Sequence, residues 1–262
     1  MTSPRAQSTH RSHHVAVVTG ASSGIGRETA RQLAELGWTV YAVARRVERL
    51  EGLAEETGVI PHPLDITDAD GARELAERVI QEQGTVDTLV NISGAAFGTD
   101  NVGEGNPQDW EAMYRLNVLG TLHMVQAFLP ALRANGEGTI FNLTSTAAEA
   151  AYEGGGGYNA AKFGERALTR ALRLEEAEHN VRVLELAPGM VHTEEFSVNR
   201  LGGNEDAAEK IYEGVDKPLT AEDVARVAVF SLTLPHHINL DSITMRPVAQ
   251  AAQHKVIRST DR

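Results

Sequence analysis

The chain contains no cysteine, which excludes disulfides, thiolate nucleophiles and cysteine metal ligands. No apolar run approaches the ~18 residues that a membrane-spanning helix needs. The opening MTSPRAQSTHRSHH is polar and lacks the apolar core of a signal peptide, so residues 1–13 are expected to form a disordered tail. No lysine- and arginine-rich block occurs, and 24 basic against 36 acidic residues give a formal net charge of −12. That balance argues against nucleic acid or an anionic membrane as a partner. His13-His14 and His236-His237 lack acidic partners at ligand spacing, so no metal site is expected. Neither a linker nor an internal repeat divides the chain. A soluble, cytoplasmic protein is expected, and 262 residues, 42% of them hydrophobic, can bury one sizeable core. The negative charge also makes local cations informative. If the ligand is an anion, a few of them must hold it against the overall field.

What is present is a rhythm. VAVVTG (15–20), WTVYAVA (38–44), VIPHPLDI (59–66), VDTLVNIS (86–93), GTIFNLTS (138–145) and VRVLELA (181–187) are short apolar runs. Between them lie helical patterns over 24–36, 47–57, 68–83, 107–134 and 157–179. Strands that are unbroken apolar runs are covered on both faces. The expected fold is therefore α/β: a single domain over 14–250, with a doubly wound, Rossmann-type parallel sheet of about seven strands and helices on both faces. Residues 193–216 are polar and glycine-rich (NRLGGNEDAAEK among them) and read as a mobile lid over a site. Residues 221–234 read as a helix, 242–248 as the last strand and 251–262 as a C-terminal tail. Glu175, Glu176 and Glu178 read as a solvated helix face.

TGASSGIG (19–26) joins the first strand to the first helix. Gly20 permits a tight turn, Gly24 lets a pyrophosphate approach the backbone, and Gly26 lets the helix pack closely. The loop through Ser22, Ser23 and Ile25 then offers free N–H groups and the positive helix end to phosphates. A glycine triad alone also fits an ordinary turn. Its place directly after a strand favours the dinucleotide. Arg45 and Arg46 stand at the end of the second strand, where an acidic residue would bind the 2′-hydroxyl of NAD. Two guanidinium forks suit a 2′-phosphate instead, and cations are unfavourable at a helix start, so NADP(H) is favoured as cofactor over a merely solvated helix start. Asp65 can accept from the adenine amine or cap a helix.

Four glycines, Gly154 to Gly157, run into a helix that carries Tyr158 and Lys162 four residues apart on one face. A lysine ammonium, with an oxidised nicotinamide, can lower a phenol from its ordinary pKa near 10; about three units would be worth about 4 kcal/mol. Such a tyrosine serves as acid when a carbonyl is reduced and as base when an alcohol is oxidised. The glycines, Gly155 among them, are expected to leave room beside the reacting carbon and to touch a small substrate.

These residues carry a resemblance. TGASSGIG, Asn117, Ser145 thirteen positions before Tyr158, and Tyr158-x-x-x-Lys162 are similar to the short-chain dehydrogenase/reductase family over about 15–248. The resemblance implies that Tyr158 exchanges the proton and that Lys162 binds the nicotinamide ribose and lowers the tyrosine pKa. It implies that Ser145 hydrogen-bonds the substrate oxygen and that Asn117 holds a water in a proton relay; an ordinary turn serine and helix asparagine are the plainer alternatives. PGMVHT (188–193), with Pro188, Gly189, Val191 and Thr193, resembles the segment that holds the nicotinamide carboxamide. Asn91 and Gly94 fit the family's cofactor-binding strand end, but Ile92 and Ser93 stand where Asn and Ala are usual. Ile92 is expected to loosen that strand, and Ser93 to add a hydroxyl beside the cofactor.

Residues 188–203 and 219–250 resemble the NADP-dependent 3-hydroxy acid dehydrogenases, the serine 3-dehydrogenase group, and aldehyde reductases of antibiotic pathways. Arg200 would then meet a substrate carboxylate, the alternative being an exposed lid arginine. The implied reaction is hydride transfer between NADP(H) and a small 3-hydroxy acid or aldehyde. A bulkier biosynthetic aldehyde or ketone is the alternative. A non-catalytic dinucleotide sensor is disfavoured because it need not keep Tyr158, Lys162 and Ser145 together. The helices bearing Asn117 and Tyr158 hold more apolar residues than one core face requires, and similar proteins pair them between subunits, so a homotetramer or homodimer is expected.

Overall fold

In the computed structural model, which describes residues 14–259, VAVVT forms β1 (Val15–Thr19) with all five residues buried. The tail expected over 1–13 lies outside the described residues. Then come α1 (Gly24–Glu35), β2 (Thr39–Ala44), α2 (Val47–Thr57), β3 (Ile60–Pro63), α3 (Ala69–Gln83) and β4 (Thr88–Asn91). α4 (Pro107–Tyr114) leads through a π turn, Arg115–Gly120, into α5 (Thr121–Asn135), β5 (Thr139–Leu143), α6 (Gly156–Glu176) and β6 (Arg182–Pro188). β7 (Val191–His192), α7 (Phe196–Arg200), α8 (Glu205–Tyr212), β8 (Leu219–Thr220), α9 (Ala221–Thr233) and β9 (Ile243–Met245) precede a hairpin of β10 (Gln250–Ala252) and β11 (Lys255–Val256).

Seven strands pair in the order β3-β2-β1-β4-β5-β6-β9, each pair parallel. Strand side chains alternate between faces. Ala16 and Val18 enter one core with Leu33 of α1, Leu53 of α2 and Val224 of α9. Val15 and Val17 enter the other with Leu75 and Val79 of α3 and Phe128 and Leu132 of α5. Each such leucine or phenylalanine contributes about 1.5–3 kcal/mol by leaving water. Both faces are thus covered, and the order reverses between β1 and β4, which opens a crevice at the carboxyl ends of those strands.

The structure departs from the expected elements in four places. The helix expected over 107–134 is interrupted by the π turn, and Asn117 sits in that turn. The lid expected over 193–216 is built of α7 and α8, and β7 pairs with β8 at its base. The tail expected over 251–262 turns back at the β10–β11 hairpin, and Arg258 bridges Val215 while the Ser259 N–H donates to Gly214 O at 2.7 Å. Glu176 is not solvated: it turns inward and accepts from Arg133 Nε and Nη2 at 2.7 and 2.6 Å. Among the described residues no helix is long and apolar enough to cross a membrane, and no three His, Asp or Glu side chains converge as for a metal.

Candidate active site

A cavity of about 630 Å³ fills the crevice, from the β1–α1 turn and Arg45 at one end to Ser145, Tyr158 and Arg200 at the other. Gly20 has φ +73°, and a Cβ there would lie 3.1 Å from Ser93 N. A Cβ on Gly26 would lie 2.3 Å from Gly20 O, so only glycine lets α1 start this close to the turn. The N-cap Ser23 makes no side-chain capping bond, and the first turn of α1 has no acidic residue. Helix-end N–H groups without such partners bind anions, and Ser22, Ser23, Gly24 and Ile25 line the cavity at this point.

Arg45 is exposed at the rim. Arg46 is engaged: its Nη1 and Nη2 donate to Glu195 at 2.6 and 2.8 Å, and Nη2 also donates to Ser22 and Ser23 hydroxyls, each at 2.9 Å. This contact ties the lid to the end of β2. Arg46 holds the Glu195 carboxyl below its ordinary range. Asp65 also lines the cavity; burial raises its pKa, but the Thr67 N–H and hydroxyl, at 2.9 and 2.8 Å, prevail and lower it. The helix-cap alternative for Asp65 falls away, because Asp68 caps α3 by accepting from the Asp70 and Gly71 N–H groups.

Tyr158 and Lys162 are both buried on α6, with Lys162 Nζ 5.9 Å from the phenol ring centre. Lys162 Nζ donates to Leu143 O at 3.1 Å and to Glu165 Oε2 at 2.6 Å. Ser145 follows β5 and caps the short 3-10 turn Thr146–Ala148 by accepting from Ala147 N at 3.1 Å. Burial pushes the Tyr158 phenol above its ordinary pKa; Lys162 and the Ser145 hydroxyl pull it down without prevailing. The acidic phenol expected from the sequence also counted an oxidised nicotinamide. Among the side chains alone burial outweighs Lys162, and Glu165, which the sequence reading did not include, adds a smaller push upward.

Asn117 is wholly buried in the π turn, a distortion frequent at functional sites. Its Nδ2 donates to Ala95 O and Met113 O at 2.9 and 2.7 Å, and its Oδ1 has no hydrogen-bond partner. A Cβ on Gly94 would lie 2.6 Å from that oxygen and 3.4 Å from Lys162 Nζ, so glycine at 94 lets the three groups converge. Asn91 points elsewhere: its Nδ2 donates to Asn142 Oδ1 at 2.9 Å, which joins β4 to β5 away from the cavity. The loosening expected at Ile92 is countered by Thr19, whose hydroxyl accepts from Ile92 N and Ser93 N at 3.0 and 3.1 Å, and Ile92 packs on the core. Ser93 lines the cavity.

Pro188, Gly189, Val191 and Thr193 follow the opposite wall. A Cβ on Gly189 would lie 2.2 Å from Gln250 Oε1, the atom that accepts from Met190 N at 2.7 Å. At the Tyr158 end, Arg200 donates to the Tyr152 hydroxyl and to Gly154 O at 2.9 Å each, and its guanidinium lies 6.0 Å from the Tyr158 ring centre. The glycine run does not leave space. Cβ atoms would strike Thr99 O from Gly154, the Tyr152 ring from Gly155, and Trp110 from Gly156 and Gly157. Gly155 lies outside the cavity lining. The glycines bring α6 down onto α4 and present the Gly154 carbonyl to Arg200.

The family model for short chain dehydrogenase matches residues 14–201. The chain is a short-chain dehydrogenase. An uncharacterized oxidoreductase of Mycobacterium tuberculosis is 47% identical to it over 238 residues, 91% of this dehydrogenase and 92% of that protein. A serine 3-dehydrogenase of Agrobacterium fabrum is 38% identical over 237 residues, 90% and 94% of the two chains. The solved closed form of a serine dehydrogenase complexed with NADP+ superposes with a TM-score of 0.88 at 34% identity, covering 93% of this dehydrogenase and 99% of that chain.

Most of the residues singled out from the sequence thus meet around one cavity of the dehydrogenase, with Asn117 behind its wall and Asn91 and Gly155 outside it. The reading missed Glu165, Glu195, Tyr152, Thr19 and Gln250. Glu165, three residues beyond Lys162, could have been found by asking what pairs a buried lysine. Thr19 and Tyr152 stand in or beside the motifs quoted from the sequence, whereas Glu195 and Gln250 reach the site from distant segments.

Proposed function

We propose that this dehydrogenase uses NADP(H) to move a hydride between nicotinamide and the hydroxyl or carbonyl of a small 3-hydroxy acid or aldehyde, with Tyr158 as general acid and base. One observation carries the reading: Lys162 and Arg200 lie 5.9 and 6.0 Å from the ring of the same buried tyrosine. A phenol can exchange a proton with a substrate oxygen, and a guanidinium beside it can hold a carboxylate by two parallel bonds. The Agrobacterium relative, a serine 3-dehydrogenase, and the NADP+-bound serine dehydrogenase support this substrate class and cofactor.

The residues present fit a dinucleotide phosphate. The first turn of α1 would take the pyrophosphate, Arg45 and Arg46 the 2′-phosphate, and Asp65 the adenine amine. Lys162 would hold the nicotinamide ribose, and Gly94, Pro188, Gly189, Val191 and Thr193 would flank the nicotinamide. When bound, the reduced cofactor supplies a hydride to the carbonyl carbon. Tyr158 gives its proton to the carbonyl oxygen, Ser145 donates a hydrogen bond to that oxygen as it gains charge, and Arg200 orients the carboxylate. Asn117, with its free Oδ1 beside Lys162, would hold the water that returns a proton. The bulkier-substrate alternative loses its support, since the glycines are packed and leave no extra room. Tyr114 of α4 and Phe163 of α6 are half exposed, which supports pairing of these helices in a homotetramer or homodimer.

The test is loss of NADPH absorbance with malonic semialdehyde and with bulky aldehydes, and its gain with serine and NADP+. Small carboxylate substrates are expected to react and bulky ones to fail. Tyr158→Phe is expected to lose about 10²–10⁴-fold in turnover while still binding NADPH. Turnover equal to wild type would remove Tyr158 from the mechanism.

A further inference from the structure

Among the described residues Glu165 is the one carboxylate paired with Lys162, and no step described above uses it. It is 1% exposed, and Lys162 is 4% exposed. Its Oε2 lies 2.6 Å from Lys162 Nζ, and its Oε1 lies 3.3 Å from the hydroxyl of Thr121 on α5. The Thr121 hydroxyl has one proton, which it donates either to Glu165 Oε1 or, at 2.9 Å, to Asn117 O in the π turn. Removing two charges from water is costly, and the sequence has placed both at three-residue spacing on one helix face at the centre of the site.

We propose that Glu165 is a positioning residue that offsets the charge of Lys162, helps burial keep the Tyr158 phenol protonated and so biases the site toward carbonyl reduction over alcohol oxidation near neutral pH. The inference rests on Tyr158 being the proton-transfer group. A lone ammonium beside the phenol would favour phenolate, the form that accepts a proton from an alcohol. A carboxylate in contact with that ammonium offsets part of its pull on the phenol. Whichever of the two holds the shared proton, the pair sums to zero.

The surrounding groups are mixed: Tyr152 and Glu165 favour the protonated phenol, whereas Arg200, a second cation, favours phenolate. Tyr158 faces Lys162 and Glu165 from its own helix, Ser145 from the end of β5, Tyr152 from the loop before α6 and Arg200 from the lid. Glu165 faces Lys162, Thr121 and, from β6, Glu185. Glu185 is itself bound by Arg166 Nε at 2.6 Å, and that arginine also reaches Glu149 at 3.2 Å, so its charge is spent there. Burial raises the pKa of Glu165, against Lys162, and raises that of Tyr158. In reduction the carbonyl carbon gains the hydride and its oxygen gains the Tyr158 proton. The phenol O–H bond breaks, and the phenolate recovers a proton from solvent before the next turnover.

The phenol is titrated by its ultraviolet phenolate band in cofactor-free protein, with the Tyr158→Phe protein as the blank. Wild type is expected to titrate above the ordinary tyrosine value of about 10. Glu165→Gln, close in shape, is expected to lower the midpoint by about one unit or more and to move the rising limb of alcohol oxidation to lower pH by the same amount. Glu165→Asp, which keeps the charge, is expected to restore the wild-type limb. A wild-type midpoint below the ordinary value overturns the proposal, and that measurement needs no Glu165 variant to fold. So does a Glu165→Gln protein whose midpoint and oxidation limb stay where they were. Full turnover by Tyr158→Phe would instead sink the role of Tyr158, whatever the titration gives.

Discussion

Glu195, just before α7, spans both terminal nitrogens of Arg46, just before α2, at 2.6 and 2.8 Å. The lid is thereby latched to the arginine that would take a 2′-phosphate, and Arg49 reaches the same carboxylate at 2.9 Å. A phosphate arriving at Arg46 must share it with Glu195 or displace it. Glu195→Gln is expected to tighten NADPH binding by about 2–5-fold and to leave NADH binding unchanged, as a partly exposed pair allows. Fluorescence titration of the two cofactors checks it, and weaker NADPH binding would show that the latch belongs to the loaded state.

Arg200 holds Gly154 O and the Tyr152 hydroxyl, yet its guanidinium also lines the cavity. Arg200→Ala is expected to lose about 10–100-fold in kcat/KM on 3-hydroxy acids, the range of a charged hydrogen bond, and far less on neutral alcohols. Equal losses on both would make it a clamp on the α6 approach and remove it from substrate binding.

Two glycines separate close packing from open space. A Cβ on Gly26 would meet the Gly20 backbone at 2.3 Å, whereas one on Gly52 would meet nothing within 4 Å. Gly26→Ala is expected to abolish cofactor binding. Gly52→Ala, inside α2, is expected to raise stability by about 0.5–1 kcal/mol. Denaturant unfolding and NADPH titration of both proteins check the pair.

Acid sensitivity has a definite sign. Arg133 lowers the pKa of Glu176, and Arg46 lowers that of Glu195. A carboxyl whose pKa falls on folding contributes stability that is present above its unfolded value of about 4.3 and lost as pH falls through the folded one. Glu176→Gln is expected to flatten the decline of stability below about pH 4 relative to wild type. A decline as steep as wild type would show that this pair carries none of it.

The parallel sheet was legible because its strands are unbroken apolar runs and its helices keep their period; both are local patterns. TGASSGIG was legible because a tight turn and a close helix start each demand glycine. The purpose of Gly154 to Gly157 was misread. Glycine leaves room only if no neighbour fills it, and Trp110, Met113 and Thr99 fill it from α4 and the loop before it.

Asn91 was misplaced because the end of a strand offers two directions for a side chain, and Asn142 across the ladder takes it. The docking of the segment after the hairpin escaped notice because the partners of Arg258 and Ser259, Val215 and Gly214, are distant in sequence.

Residue order alone settles the layered fold, the glycine-rich turn before α1 and the placing of Tyr158 and Lys162 on one helix face, since each depends on neighbours within a turn or a strand. Folding in three dimensions sets the charges those groups feel. Folding buries Glu165 against Lys162 at 2.6 Å, and Glu195 reaches Arg46 across 149 residues of chain. Electrostatic interactions depend on distance and burial, and neither can be read from spacing in the sequence.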